Sequence, residues 1–245
     1  MPEPIELHFW PTPNGYKPLI ALIEMGFPYV IVPVDIGRGD QFKPEFEKLS
    51  PNRRMPAILD PEGPDGRPIS VFESGAILQY LARKSGNRFY GDDERARVEA
   101  EQWVFWQMAG LGPNAGQANH FRSYAPAMTP DQRHLSYGVN RFTNELHRLY
   151  GVVDDRLKDR DYIAGDYSIA DMACWPWTRY PSARGIDLAE FPNVAAWVER
   201  VGARPAVIRA REEGEAVRQG AASLADNTAD AEAQRKILFG QRARR

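Results

Sequence analysis

Two hydrophobic periods alternate along the first third of the chain. Short runs rich in β-branched and aromatic residues predict strands. Between these runs, apolar residues recur at three- and four-residue steps, a pattern typical of helices that bury one face. The predicted strands are 5–10, 29–34, 55–60 and 69–72, and the predicted helices are 16–25, 44–49 and 73–84.

Turn residues separate these elements. Gly26 follows the first helix as its expected C-terminal stop. Pro33 predicts an edge position for the second strand, because proline cannot donate to a ladder. Residues 60–68 contain three prolines and two glycines, which predicts an antiparallel hairpin. The order βαβαββα predicts an N-terminal thioredoxin-like domain over residues 1–88.

Strand patterns give way to long helical patterns after residue 92. Phe142, Leu146, Tyr150 and Val153, for example, follow each other at three- and four-residue steps. The predicted fold class is therefore α/β plus all-α, with a helical C-terminal domain over residues 92–211. Because large apolar residues are scarce after that point, we expect residues 212–245 to be a charged tail, helical or disordered, that buries no core of its own.

Composition limits the classes of function. The 31 Lys and Arg residues nearly balance the 33 Asp and Glu residues, so no overall field favours nucleic acid or an anionic membrane. With no basic n-region and no run near the roughly 20 apolar residues that span a bilayer, we expect a cytoplasmic protein. The single cysteine, Cys174, excludes an intramolecular disulfide, and its apolar neighbours favour a packed thiol over a nucleophile.

Candidate chemistry begins where the first strand ends and the first helix starts. In the loop 12–15, backbone amides and the positive end of the helix favour an anion or a thiolate. The hydroxyl of Thr12 and the amide of Asn14 are suited to donate hydrogen bonds to a bound thiolate and so lower its pKa. The alternative is purely structural, since both residue types are common in turns and N-caps.

Two other junctions carry groups suited to a ligand. Met55 precedes Pro56, and because proline lacks an N–H, the Met55 backbone is left free to pair with a ligand. A cis bond there would mark a binding loop, and an ordinary trans proline is the alternative. Glu73 is suited to bind the ammonium of an amino-acid head group, and Ser74 is suited to bind its carboxylate. The structural alternative is that Ser74 only caps the helix and that Glu73 only interacts with the helix dipole.

Other motifs indicate structure rather than chemistry. Ser168 and Asp171 match the capping-box pattern before an apolar run. The histidines at positions 8, 120, 134 and 147 lack metal-ligand spacing. The glycines at 37 and 39 match neither a P-loop nor a dinucleotide fingerprint. We therefore expect neither a metal nor a nucleotide.

Six motifs occur along the chain in an order that is specific when they are taken together. They are Thr12-Pro13-Asn14-Gly15 with Lys17, Gly39-Asp40-Gln41-Phe42, Met55-Pro56-Ala57-Ile58, Phe72-Glu73-Ser74-Gly75, Trp103-Val104-Phe105-Trp106-Gln107 and Ser168-Ile169-Ala170-Asp171. Together they resemble the bacterial Nu-class glutathione transferases over roughly residues 5 to 210.

The resemblance implies an activity and a set of partners. Members of the class combine a thioredoxin-like domain with a helical glutathione-transferase domain and form homodimers. They show glutathione-dependent disulfide-bond reductase activity without using a protein cysteine. The implied ligands are glutathione or glutathione disulfide and a small disulfide or electrophilic substrate, with no metal, nucleic acid or membrane.

The resemblance also implies roles for individual residues. Thr12 and Asn14 correspond to the residues that contact the glutathione sulfur and would be catalytic. The backbone of Met55, before Pro56, corresponds to the group that pairs with the cysteinyl backbone. The other implied glutathione contacts are Gln41, Glu73, Ser74 and Arg141. Arg141 would act from the helical domain of the same subunit or of its partner.

Three alternatives remain at this point. The same thiolate would also serve conjugation to electrophilic carbon or reduction of hydroperoxides. A transferase-like fold can instead hold glutathione or a protein partner without turnover, because fold alone does not define function. Tyr16 lies just beyond the loop, so a tyrosine-type mechanism is a minor rival that Tyr16→Phe tests.

Overall fold

The chain folds into two compact units. The structure, a computed structural model, describes residues 2–129, 131–218 and 229–241, with the backbone alone at His134. The described residues before position 78 and after position 209 form the first unit, and those between form the second. The predicted domain limits at residues 88, 92 and 211 stay a prediction.

A mixed four-stranded sheet forms the centre of the first unit, in the order β2-β1-β3-β4. Strand β1 runs parallel to β2 and antiparallel to β3, and β3 pairs antiparallel with β4. Helix α3 continues from this unit into the second. The elements are β1 Ile5–Phe9, α1 Pro13–Met25, β2 Tyr29–Pro33, α2 Pro44–Leu49, β3 Ala57–Asp60, β4 Ile69–Phe72 and α3 Ser74–Lys84.

Strand β1 buries every second residue. Ile5, Leu7 and Phe9 are buried, whereas the residues between them are partly exposed. Helix α1 ends as predicted at Gly26, whose left-handed backbone (φ 75°) lets its N–H bond to the last turn. Strand β2 lies at the sheet edge, so the edge position predicted from Pro33 is confirmed.

The element order of the first unit confirms the predicted thioredoxin-like fold. Several boundaries differ by one to three residues. Helix α1 begins at Pro13 rather than at Tyr16, because Thr12 caps it and Pro13 suits the first turn. Strand β3 begins at Ala57 rather than at Met55. Pro56 has no N–H to donate, so the ladder with β1 begins at Ala57, opposite His8. Met55 therefore stays outside the sheet.

Helices make up the second unit, as the sequence predicts. The π-helical turns Gln107–Leu111 and His120–Tyr124 extend two of them. The helices are α4 Glu94–Trp106, α5 Gly112–Asn119, α6 Arg133–Arg156, α7 Ile169–Thr178 and α8 Pro192–Gly202. Leu146, Tyr150 and Val153 are buried along one face of α6, which confirms the spacing read from the sequence.

The start of α7 is held by a buried carboxylate. Ser168 and Asp171 form the predicted capping box. Asp171 also accepts hydrogen bonds from the Ile163 backbone (3.1 Å) and from the Trp197 indole on α8 (2.8 Å). Burial raises the pKa of Asp171 to about 6, against the opposing effect of these hydrogen bonds.

Two helices follow α8 and belong wholly or partly to the first unit. They are α9 Pro205–Arg218 and α10 Ala229–Phe239. The hydroxyl of Tyr29 in β2 donates to the carboxylate of Glu213 in α9, at 2.7 Å from Oε2. The C-terminal half of α9 is thereby tied to the sheet edge.

Helix α10 lies within the expected charged tail, but it is not exposed all round. Ala231 and Arg235 are buried on one face of the helix, four residues apart. The segment needs no core of its own because it shares that of the first unit. Of the predicted tail 212–245, residues 219–228 and 242–245 lie outside the described residues.

We predict that Asp171→Ala lowers the free energy of unfolding by about 3 kcal/mol or more, because several buried donors lose their acceptor at once. Urea unfolding at pH 7.5, where the carboxyl group is ionised, measures this loss. Asp166→Ala, at an exposed position nearby, is the control and should change little. Equal effects of the two substitutions would contradict the prediction.

Candidate active site

The start of α1 brings two of the predicted site features together. Thr12 is the N-cap of α1, and its Oγ1 accepts a hydrogen bond from the Gly15 backbone (3.3 Å). The same hydroxyl donates to the Met55 sulfur at 3.5 Å. The loop after β1 and the turn before β3 therefore meet at Thr12.

The Thr12 hydroxyl has two partners. Its capping bond to the Gly15 backbone shows that Thr12 is an N-cap, and whether it also acts on a ligand stays a prediction. Its proton, however, points to a thioether, which is a weak acceptor. A thiolate is a better acceptor, so the hydroxyl can cap α1 and still donate to an anionic sulfur. Asn14, the second residue of α1, is half-buried beside it.

The Met55–Pro56 bond is cis. The trans alternative, which local sequence favoured, is therefore wrong. Ser50 Oγ donates to the carbonyl of Arg54 at 2.9 Å, which fixes the residue before Met55. Among the described residues, no hydrogen bond reaches the backbone N–H or carbonyl of Met55. These two groups are therefore free to pair with an extended peptide-like ligand.

Glu73 and Ser74 lie side by side at the junction of β4 and α3. Glu73 is exposed and has a left-handed backbone, with φ 69°. Such a conformation is unusual for a residue with a side chain and occurs often at functional sites. Ser74, by contrast, is buried at the first turn of α3.

Lys17 had no predicted role of its own, yet it contacts a predicted site residue. Its Nζ donates to Ser74 Oγ at 3.3 Å, and the ammonium is almost fully buried. A buried lysine is rare unless its charge has partners. The available signal was a lysine within the apolar run that contains Leu19 and Ile20.

Gln41 lies in the β2–α2 loop (residues 35–42). Its amide donates to a backbone carbonyl of the same loop at 3.3 Å. Its buried Oε1 has no partner among the described residues. Asp35 accepts from the Gly37 backbone (2.9 Å), and Asp40 accepts from the Asp35 backbone (3.0 Å). The loop is thus closed by its own carboxylates, with one amide oxygen left to accept a bond.

Arg141 is the one predicted site residue that lies in the second unit. It is an exposed residue of α6, and its Nη1 is 3.8 Å from Oε2 of Glu145. Exposed pairs of this kind are weak, so the guanidinium can exchange this partner for another anion. Its role toward glutathione stays a prediction.

Tyr16 and Cys174 are both buried. The Tyr16 ring packs edge-to-face on Phe9, with centroids 5.7 Å apart. A Cβ atom added to Gly214 would come within 2.4 Å of the Tyr16 hydroxyl, so that hydroxyl lies against α9. This packing does not favour a tyrosine-type mechanism.

Cys174 is a fully buried free thiol in α7, as its apolar neighbours predict.

The side chains of the site carry hydroxyl, amide, carboxylate and ammonium groups that can bind a ligand. In the part of the chain that the structure describes, no group of three or more His, Cys, Asp or Glu side chains is arranged to hold a metal ion. No helix among those residues is both long and apolar enough to cross a bilayer.

Comparison with known families identifies this arrangement. Residues 4–83 match the model of the glutathione S-transferase N-terminal domain, and residues 139–205 match that of the C-terminal domain. The chain belongs to the glutathione S-transferase family. It is 47% identical to the disulfide-bond oxidoreductase YfcG of Escherichia coli over 204 residues, which is 82% of this chain and 92% of that protein.

Solved structures of similar proteins contain glutathione. A family member from Pseudomonas fluorescens, with two glutathione molecules bound, is 43% identical and superposes with a TM-score of 0.79 over 86% of this chain and 93% of its own. A glutathione transferase from Pseudomonas putida, with one glutathione disulfide bound per subunit, is 42% identical, with a TM-score of 0.79 over 85% of this chain and 90% of its own.

We predict that Glu73→Gly is more stable than Glu73→Ala by about 1 kcal/mol, because only glycine adopts the left-handed backbone without a steric penalty. Urea unfolding measures the difference. The same two substitutions at Glu62, whose φ is not positive, are the control. There alanine should be the more stable, since glycine adds freedom to the unfolded chain. An alanine variant at position 73 as stable as the glycine variant would contradict the prediction.

Proposed function

We propose that this protein is a cytoplasmic Nu-class enzyme that uses glutathione to reduce disulfide bonds. The observation that carries the proposal is the Thr12 hydroxyl, placed between the start of α1 and the Met55–Pro56 turn. The name of the Escherichia coli relative, a disulfide-bond oxidoreductase, supports the reaction. The glutathione disulfide bound to the Pseudomonas putida relative supports the product.

The reaction is thiol–disulfide exchange in two steps. A glutathione thiolate attacks one sulfur of the substrate disulfide, forms a mixed disulfide, and releases the other half as a thiolate that takes a proton from solvent. A second glutathione thiolate attacks the glutathione sulfur of that mixed disulfide. The products are two thiols and glutathione disulfide, so the two electrons come from two glutathiones. The two glutathiones bound to the Pseudomonas fluorescens relative are consistent with this stoichiometry.

Thr12 and Asn14 are proposed to raise the fraction of bound glutathione that is thiolate. Hydrogen bonds donated to the anionic form lower the pKa of a thiol, and the positive end of a helix acts in the same direction. Thr12 already caps α1, so its hydroxyl would need little reorganisation as charge develops. The protein would then activate a thiol that it does not itself carry.

The remaining groups are proposed to bind the peptide frame of glutathione. The Met55 backbone would pair with the cysteinyl residue, and the Gln41 oxygen would accept a bond from the ligand. Glu73 would pair with the γ-glutamyl ammonium, and Ser74 would donate to its carboxylate. The buried Lys17 ammonium, 3.3 Å from the Ser74 hydroxyl, adds a positive charge that favours that carboxylate.

A homodimer is part of the proposal, and exposed apolar residues on two helices support it. Val98 and Phe105, two turns apart on α4, are 46% and 63% exposed, and Tyr137 on α6 is 77% exposed. Large apolar side chains left exposed on a helix are candidates for an interface. Arg141 follows Tyr137 by one turn, so a partner bound at this face would place it near the interface.

We predict that Thr12→Val lowers kcat/KM for glutathione-dependent reduction of 2-hydroxyethyl disulfide at least 10-fold, about 1.4 kcal/mol of transition-state stabilisation. The valine removes the donor and keeps the shape of the side chain. Thr12→Ser, which retains the hydroxyl, should keep most of the activity, and Cys174→Ala should match the wild type.

Three results would contradict this mechanism. They are an inactive Cys174→Ala, a fully active Thr12→Val, and a wild type without activity on the disulfide. Parallel assays with an aryl halide and a hydroperoxide separate disulfide reduction from conjugation and peroxidase activity. Tight glutathione binding without turnover of any of the three substrates would favour a glutathione-binding regulator.

We predict that Phe105→Asp converts the dimer to a monomer, because a charge at the centre of an apolar interface is not compensated. Sedimentation velocity measures the mass in solution. Met128→Asp is the control, since Met128 is also exposed, at 44%, but lies outside α4 and α6. A monomeric wild type, or an unchanged mass in Phe105→Asp, would contradict the proposed interface.

A further inference from the structure

Helix α10 packs with one face against the rest of the first unit. Ala231 is fully buried and Arg235 nearly so, whereas Glu232 and Lys236 form an ion pair (2.7 Å) on the exposed face. The helix lies beyond both stretches that match the family domains.

The contacted element is the β2–α2 loop. A Cβ atom added to Gly37 would come within 3.0 Å of the Gln234 side chain, and one added to Gly39 would come within 3.6 Å of Ile237. Two successive turns of α10 thus lie against two glycines of the loop. Gly39 also has a positive φ of 85°, so the loop conformation at this point suits glycine.

Gln241 joins the end of α10 to the segment before the cis bond. Its amide Nε2 donates to the carbonyls of Ile237 (3.0 Å) and Leu238 (3.1 Å), which caps the last turn of the helix. Its Oε1 accepts from Arg54 Nη1 at 2.9 Å. Arg54 directly precedes Met55, so the helix cap and the candidate glutathione-binding turn share one side chain.

We infer that α10 is a positioning element for glutathione. It holds the β2–α2 loop, which carries Gln41, and it holds Arg54 beside Met55. Both Gln41 and Met55 are contacts assigned in the proposed function, on which this inference rests. Ile237 and Gln241 touch no substrate in this scheme and act through the loop and the turn. Undocking α10 therefore weakens glutathione binding and leaves the thiolate-stabilising loop at Thr12 intact.

Two matched substitutions test the inference. Ala231→Glu places a charged side chain at a fully buried position of α10, and Ala233→Glu places the same side chain on its exposed face. The Kd for glutathione is measured by calorimetry, and KM and kcat by disulfide reduction in the full-length protein. Amide hydrogen exchange of residues 35–42 is followed without glutathione.

The expected result is a rise in Kd and KM of roughly 5-fold or more in Ala231→Glu, the usual range for coupling between sites, with kcat within about twofold of the wild type. Exchange in the loop becomes faster, and Ala233→Glu matches the wild type. Gln241→Ala, which spares the buried face, should raise KM in the same direction by a smaller factor.

Other outcomes overturn the inference or the function on which it rests. Unchanged Kd and unchanged loop exchange in Ala231→Glu and Gln241→Ala would overturn the role of α10, and tighter binding in either variant would identify α10 as an obstruction instead. A wild type that does not bind glutathione would overturn the proposed function itself. The two failures are distinguished because loop exchange is measured without the ligand.

Discussion

The Thr12 hydroxyl is the contact on which the candidate site depends. It accepts the capping bond that begins α1 and donates to Met55 in the turn before β3. One side chain therefore contacts both a helix N-terminus and the Met55 side chain in the turn before β3. Lys17, on the same helix, reaches Ser74 and fixes α1 against the start of α3. The start of α1 is thus linked to two of the proposed glutathione contacts, Met55 and Ser74.

Elements governed by local rules could be predicted from the sequence. The glycine stop of α1, the edge strand with Pro33, the hairpin between β3 and β4, and the capping box at Ser168 each follow from a few adjacent residues. The motif order also led to the correct family. The isomer of the Met55–Pro56 bond was not predictable in this way, because local sequence favours trans and the surrounding fold decides.

Contacts between distant residues were beyond such reasoning. Lys17 and Ser74 are 57 positions apart, and Arg54 and Gln241 are 187 apart. No sequence periodicity links such pairs. Helix α10 also contains too few large apolar residues for its sequence to predict a buried face. Its buried face uses a small residue, Ala231, which lets the helix approach closely. A polar, alanine-rich segment can therefore pack well against the rest of its own unit.

The central claim is that the protein lowers the pKa of the thiol of bound glutathione. Titration of glutathione bound to the protein tests this claim most directly. Ultraviolet absorbance of the thiolate reports the pKa of the bound thiol in the wild type and in Thr12→Val. The account predicts a pKa well below the value of about 8.5 for a free cysteine thiol in the wild type, and a return toward that value in the variant. A bound thiol with the pKa of free glutathione, or the same lowered pKa in both proteins, would contradict it.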